Sequence, residues 1–472
     1  MMKKQIIALI CCLGIFSSCT KFLDRNPYMS ISATMALVDV RSADYALRGI
    51  YDRLQSTSAY GRILIVLGDA PTENVILSPT PSQRYISVTQ WTVTPSTSEP
   101  SDTWSQTYRA INAANEILVR INNIDGTDDE IKLIRGEALA LRGLLHFEMV
   151  RLFAQAYPGN ESSLGVPYKE NPDIYEKPAR LDIRTVYSKI LEDLSTAASL
   201  LNTTNTATYA PYRIDIWALK AVMARVYLAQ LDYASAKPLL ADIIANSGYK
   251  LLSTADYVGA WAKKYDAAQK TEFMFAIYHD NSDYGSTTSL GYIFLPEGYG
   301  DLRVPNSMLD IYNDNDVRKT AFFQAGTGAR EGWTMMVKYP SRDGNNGLAD
   351  DPIMRYSDVC LMYAEACAYT GDEATAITYL DMIRLRAEPE ATPSTETGDA
   401  LKEKIFLEIR KELAYEGHYL HDLKRYHKTI YGALNASGVW YDIINYPDTR
   451  LAYPIPQGEM DANENMVQNP GY

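Results

Sequence analysis

The stretch from Ile214 to Gly248 carries an apolar pattern that predicts two paired helices unable to stand alone. Trp217, Ala221, Ala224 and Leu228 recur on one helical face. Val222, Met223 and Val226 occupy the other side, so Lys220 and Arg225 hold only a narrow polar strip. A helix apolar nearly all round must be covered on more than one side. After a turn at Leu231-Asp232-Tyr233, a second helix runs through Ala236, Leu239, Leu240 and Ile243. With Ser235 as its N-cap, Pro238 falls in the first turn, where its missing N–H costs no hydrogen bond. Gly248 suits a left-handed residue just past the end.

The unit recurs 140 positions later, where Ala224, Asp232, Ala234, Ala236, Leu240 and Ile243 reappear as Ala364, Asp372, Ala374, Ala376, Leu380 and Ile383. The shared Asp is placed to cap the second helix, and the small residues let paired helices approach closely. This resembles the tetratricopeptide repeat, in which no hairpin buries its face without neighbours. That repeat has a period of about 34 residues, so long insertions must interrupt the stack.

The remaining helices follow from the same periodicity. Ser42–Leu54 pairs with Trp104–Ile121, and between them Tyr60–Ser101 forms a first insertion rich in Ser, Thr and Pro. Ile63–Leu67 and Tyr85–Val93 read there as strand-like pieces. Asp128 or Asp129 caps a long helix over Ile131–Ala156, whose partner is Val186–Leu201 with a cap at Asp182. A second insertion spans Leu251–Ala349, with one good strand at Phe273–Tyr278 followed by Gly- and Tyr-rich loops. A fourth pair covers Ile353–Arg386, and a further helix runs from Leu401 to Glu416. Pro454 and Pro456 keep the tail irregular.

Composition narrows the class. A chain of 472 residues, 46% hydrophobic and 22% charged, can bury a large core and is not disordered. Its net charge of −13 disfavours nucleic acid and anionic membrane as partners. Residues 1–18 read as an export leader: Lys3 and Lys4, an apolar run from Ile6 to Phe16, then Ser17-Ser18-Cys19. The run is shorter than the about 20 residues that span a bilayer. Small residues before a Cys resemble a bacterial lipoprotein processing site, with Cys19 as the lipidated first residue of a mature chain 19–472. An ordinary secretory signal ending nearby is the alternative. Cys360 and Cys367 lie seven residues apart on one helix, about 10 Å, beyond disulfide reach. They are core thiols.

Three segments share a more specific resemblance: Arg135-Gly-Glu-Ala-Leu-Ala-Leu-Arg142, Ile353-Met-Arg355-Tyr356 through Glu365-Ala366, and Arg410-Lys-Glu412-Leu413-Ala-Tyr-Glu416-Gly417 through Asp422-Leu423. The tail from Pro454-Ile-Pro to Asn469-Pro470-Gly471-Tyr472 is similar throughout. Nearly the whole mature chain resembles the SusD/RagB family of outer-membrane nutrient-binding lipoproteins. His421 stands where the family usually carries an aromatic and reads as a packing substitute. The resemblance implies a mainly α fold: four tetratricopeptide-like hairpins in a right-handed superhelical scaffold, one SusD-like domain with insertions 60–101 and 251–349. It further implies a lipid-anchored, surface-exposed protein of the outer membrane that binds a glycan and delivers it to a SusC-like TonB-dependent transporter. RagB-like members serving peptide uptake are the alternative.

The charged motifs read as scaffold. Glu412 and Glu416 lie one helical turn apart, Arg355 and Glu365 fall on the fourth pair, and buried charges survive only when paired. His418, His421 and His427 have poor spacing for a metal. Asp343, Asn345, Asp350 and Asp351 sit in a Gly-rich loop but fail the calcium-loop spacing. No His-Glu-x-x-His, Gly-x-Ser-x-Gly or phosphate-cradling loop occurs; a binder without catalysis, cofactor or metal is expected, rather than a hydrolase or a protein-binding repeat adaptor. Sugar binding needs flat apolar surface flanked by polar groups, typically on loops held by a rigid scaffold. Trp104, Trp217 and Trp261 fall at packing positions. Trp91 is the leading candidate, with Asp69, Asn74, Arg84 and Tyr85 in the same insertion; Tyr284, Tyr292 and Trp333 in the second insertion could complete a platform.

Overall fold

A computed structural model describes residues 37–79, 82–201, 211–265 and 270–472. The leader and Cys19 lie outside the described residues. Eight helices form the four expected pairs: α1 Val40–Gln55 with α2 Ser98–Arg120, α3 Asp128–Phe153 with α4 Ile183–Leu201, α5 Ile216–Ala229 with α6 Tyr233–Asn246, and α7 Tyr356–Tyr369 with α8 Glu373–Ala387. Each pair also packs on the next, through α2 on α3, α4 on α5 and α6 on α7. Helices α9 (Gly398–Glu412) and α10 (Tyr419–Arg425) follow, with α9 against α7.

The repeated turns behave alike. Asp232 caps α6 by accepting from the Ser235 N–H at 3.0 Å, and Asp372 caps α8 through the Thr375 N–H. Lys237 reaches across to Asp372 at 2.9 Å, and Tyr233 stacks on Tyr369 at 4.2 Å, so equivalent turns of successive units are bolted together. Asp232, not Ser235, is therefore the cap, which leaves Pro238 inside α6 beyond its first turn. Gly248 does take a positive φ. At α3 the cap is Thr127 rather than Asp128 or Asp129, in a reciprocal capping box with Glu130. Asp182 caps α4 as expected, accepting from the Thr185 N–H.

The first insertion departs most from the sequence reading. Ile63–Asp69 is a helix with all seven residues buried, and Ile86–Thr89 is a single helical turn. A short continuous apolar run fits a buried helix as well as a buried strand, and here burial on every side selects the helix. The strand in this insertion is instead β1, Ile76–Leu77. The second insertion holds β2 (Phe273–Ile277), β3 (Leu302–Arg303), β4 (Phe323–Ala325) and β5 (Thr334–Met336); β6 (Asp351–Arg355) leads into α7, and β7 (Ile430–Tyr431) pairs with β8 (Ile443–Ile444) beyond α10.

Arg355 thus ends a strand paired with β2 instead of lying in a helix. It is the centre of a buried charge hub. Its guanidinium reaches Glu272, Glu412 and Glu416, and Arg386 and Arg318 also bond Glu412. Burial opposes ionisation of Glu412, but Arg386, Arg355 and Arg318 overcome it and hold the carboxyl well below its usual range. Helix α9 stops at Glu412, so Glu416 belongs to the following turn. There Gly417 lies so close to Gly68 that a Cβ on Gly68 would meet its backbone at 2.1 Å, which explains a glycine at both positions. Glu365 pairs with Arg425 on α10. Cys360 and Cys367 are free, buried thiols.

Candidate functional site

The two insertions meet edge to edge. β1 and β3 pair antiparallel, with Ile76 opposite Arg303 and Leu77 opposite Leu302. On the other side of β1, Leu77 donates to the Leu434 carbonyl at 2.9 Å and Leu434 donates back to Val75. Buried Asp301 accepts from both the N–H and the hydroxyl of Ser82 at 2.7 Å. Three distant parts of the chain are fixed into one surface.

That surface carries aromatic rings under guanidinium groups. Arg84 sits 4.4 Å over the ring of Tyr299, which is 39% exposed. Tyr292 meets the Tyr299 ring edge-on at 5.3 Å. Arg303 sits 4.7 Å over Trp333, a half-buried ring set beside β5. Arg330 clamps the loop between these rings by donating to the carbonyls of Pro296, Gly298 and Tyr299. Arg303 also donates to the Ala436 carbonyl, in the turn between Tyr431 and Trp440, an exposed pair whose centroids are 4.7 Å apart. Arg84 Nη1, 3.8 Å from Asp301, and Arg303 Nε are buried and make no hydrogen bond among the described residues, so these guanidinium groups prop the rings in place. Flat, partly exposed rings held in this way can take the apolar face of a ligand.

Of the eight residues singled out from sequence, Arg84, Tyr292 and Trp333 join this surface. Asp69 and Asn74 do not: both are buried and bonded to each other, Asp69 accepts from the Gly417 N–H, and Asn74 accepts from Arg410. They lock the turn after α9 to the scaffold, and burial pushes the Asp69 carboxyl up to about 6. Tyr85 is buried at a positive φ, with its hydroxyl unpartnered. Trp91 is half-buried; its indole N–H donates to the Pro71 carbonyl and its ring packs on a cluster that includes Tyr419, Leu420 and Ile444. Tyr284 is half-buried, and among the described residues no ring contact ties it to Tyr292 or Trp333. Sequence reasoning missed Tyr299, Arg303, Arg330, Tyr431 and Trp440. Tyr299 was signalled by its Gly-Tyr-Gly context at 298–300, a turn that presents a ring.

The other suspected clusters are committed elsewhere. Asp350 is paired with Arg342 and accepts from Tyr212, and Asp351 is bonded to His279. His427 stacks on Tyr446 at 3.6 Å. Trp104 and Trp261 are buried, and Trp217 is half-buried under Lys220.

Residues 317–472 match the family model described as the SusD family, and residues 21–228 match one described as starch-binding associating with outer membrane. A crystal structure of a candidate sugar binding protein from Bacteroides vulgatus superposes with a TM-score of 0.84 at 30% identity, covering 93% of this chain and 99% of that one. The chain belongs to the SusD family. A SusD superfamily protein from Bacteroides thetaiotaomicron is 28% identical with a TM-score of 0.83, covering 92% of this chain and all of its own. The SusD-like protein P38 of Formosa agariphila is 23% identical over 98% of this chain and 97% of its own length. The mainly helical SusD fold, with its four stacked pairs, is therefore shared along nearly the whole described chain.

Proposed function

We propose that this SusD-family protein binds an oligo- or polysaccharide on the face built by Arg84, Tyr292, Tyr299, Arg303 and Trp333, and hands it to a SusC-like TonB-dependent transporter of the outer membrane. The observation that carries this reading is the set of partly exposed rings held in place by guanidinium groups. Stacking on those rings supplies affinity. The sugar-binding description of the Bacteroides vulgatus neighbour supports the ligand class. The chemistry is non-covalent, and Asp301, the carboxylate paired with Arg84, already serves Ser82. Among the described residues no helix is long and apolar enough to cross a membrane, so anchoring is assigned to a lipidated Cys19, with residues 19–472 acting as one unit.

The test is calorimetry of wild type and Trp333→Ala against parallel glycan and peptide panels, with thermal unfolding of both preparations. Glycan affinity lost at unchanged stability supports the site. Retained affinity in Trp333→Ala moves the ligand elsewhere, and binding confined to peptides replaces the glycan reading with a RagB-like one. Cys19→Ala should release the chain from outer-membrane fractions, and persistent lipid labelling of that variant excludes Cys19. Co-purification with a TonB-dependent barrel in mild detergent tests the partner.

A further inference from the structure

A second site shares no residue with the aromatic face. A cavity of about 60 Å³ sits among the C-terminal ends of α3 and α5, the middle of α7, and helix α10. Its carboxylates are already spoken for. Asp358 is paired with Arg225, Glu365 and Asp422 are paired with Arg425, and Glu148, behind the wall, is paired with Arg151. Lys424 is left over. Among the described residues it forms no ion pair; its Nζ donates to the carbonyls of Arg151 and Ala154, at 2.6 and 3.2 Å, which uses two of its three hydrogens. His421, nine-tenths buried, has no partner among them at Nδ1, and neither has Arg151 at Nε.

At His418 and His421 the field is positive. Burial holds His418 and His421 neutral, far below the usual imidazole range, and Arg151, Arg225 and Lys424 push His421 further the same way. A neutral imidazole still offers one N–H. So the cavity collects unspent donors beside an ammonium that has no carboxylate of its own among the described residues. At about 10–15 Å³ per water position, its volume takes roughly four to six heavy atoms. Half-buried Gln155, Ala156 and Tyr157 line it and offer a way in.

We propose that this cavity binds a small oxyanion, phosphate, sulfate or a free carboxylate such as acetate, between Lys424, His421 and Arg151. The anion gives Lys424 an ion partner, and it takes hydrogen bonds from donors that otherwise go unused. Binding is linked to protonation. Burial and Arg151 push Lys424 down to about 7, and an anion beside it holds the ammonium form. Affinity therefore falls as pH rises through neutrality.

The experiment titrates phosphate, sulfate and acetate, at fixed ionic strength, against the full chain in mild detergent, followed by calorimetry and thermal unfolding. The expected result is saturable binding, a rising unfolding temperature, stronger affinity below pH 7 than above it, and a roughly tenfold or greater loss in Lys424→Met. His421→Phe, which restores a ring of similar shape, should also weaken binding and decides the matter if Lys424→Met does not fold. Crystals grown with selenate should show anomalous scattering within hydrogen-bonding distance of Lys424 Nζ. No saturable binding, equal affinity in both variants, or only water in the cavity overturns the proposal.

Discussion

Arginine beside an aromatic ring occurs in two regions of this molecule, with opposite consequences. At the hub, Arg355 lies 5.2 Å over Trp261, both buried, and its nitrogens all find Glu272, Glu412, Glu416 or Ser357. At the insertion face, Arg84 and Arg303 lie over Tyr299 and Trp333, rings that stay partly exposed. Residue type alone does not separate structure from recognition; the exposure of the ring does. A guanidinium over a buried ring rivets the fold, while one beside an exposed ring props a face that a ligand can reach.

The sharpest break of this contrast is at Glu412. Glu412→Ala leaves Arg355, Arg386 and Arg318 short of a buried carboxylate, and should destabilise the fold by roughly 3–5 kcal/mol in chemical denaturation. A loss below about 1 kcal/mol would mean the hub reorganises at little cost. Next comes Trp91→Ala, expected to cost about 2 kcal/mol because a half-buried ring and its bond to Pro71 are removed, with ligand affinity untouched. Reduced affinity in that variant would return Trp91 to the binding face.

His146 provides a smaller, pH-dependent test within the scaffold. It donates to the Arg142 carbonyl and accepts from the Lys169 N–H, and burial lowers it to about 3. The folded state therefore binds fewer protons than the unfolded state between pH 3 and the usual imidazole range. Stability should fall on acidification through that window, by at most roughly 1.4 kcal/mol per pH unit from this group. His146→Gln should flatten the dependence; an unchanged acid slope would assign the effect to other groups. The smallest stability effect belongs to the face itself. Tyr299→Ala should change unfolding by less than about 1 kcal/mol yet weaken glycan binding roughly tenfold. A large stability loss there would class Tyr299 with Trp261.

The sequence exposed the scaffold because helical periodicity is local. The repeat at Asp232 and Asp372, the caps at Asp182 and the β2 strand could be read from neighbouring residues. Caps erred at α3, read as Asp128 or Asp129 and found at Thr127, and at α6, read as Ser235 and found at Asp232, because the choice depends on which side chain can reach back to its own turn. The proposed binding face was partly legible. Arg84, Tyr292 and Trp333 were picked by residue type and loop context, but Asp69 and Asn74 were picked by the same criteria and are buried. Nothing near Asp69 in the chain announces that Gly417 will donate to it from across the fold. Trp440 escaped notice since its segment, beyond α10, belongs to neither insertion.

The pairing of β1 with β3 has a consequence for how the protein comes into being. Ser78 bonds to the Gly300 carbonyl 222 positions away, and Arg303 reaches 133 positions further to Ala436. Contacts of such separation close large loops and form late, after the local helical hairpins. A chain growing from its N-terminus can build its first pairs early, but the proposed binding face is complete only when the segment around Ala436 has arrived. On that proposal, a partly folded molecule has no competent ligand site, and ligand binding itself reports that these distant segments have come together.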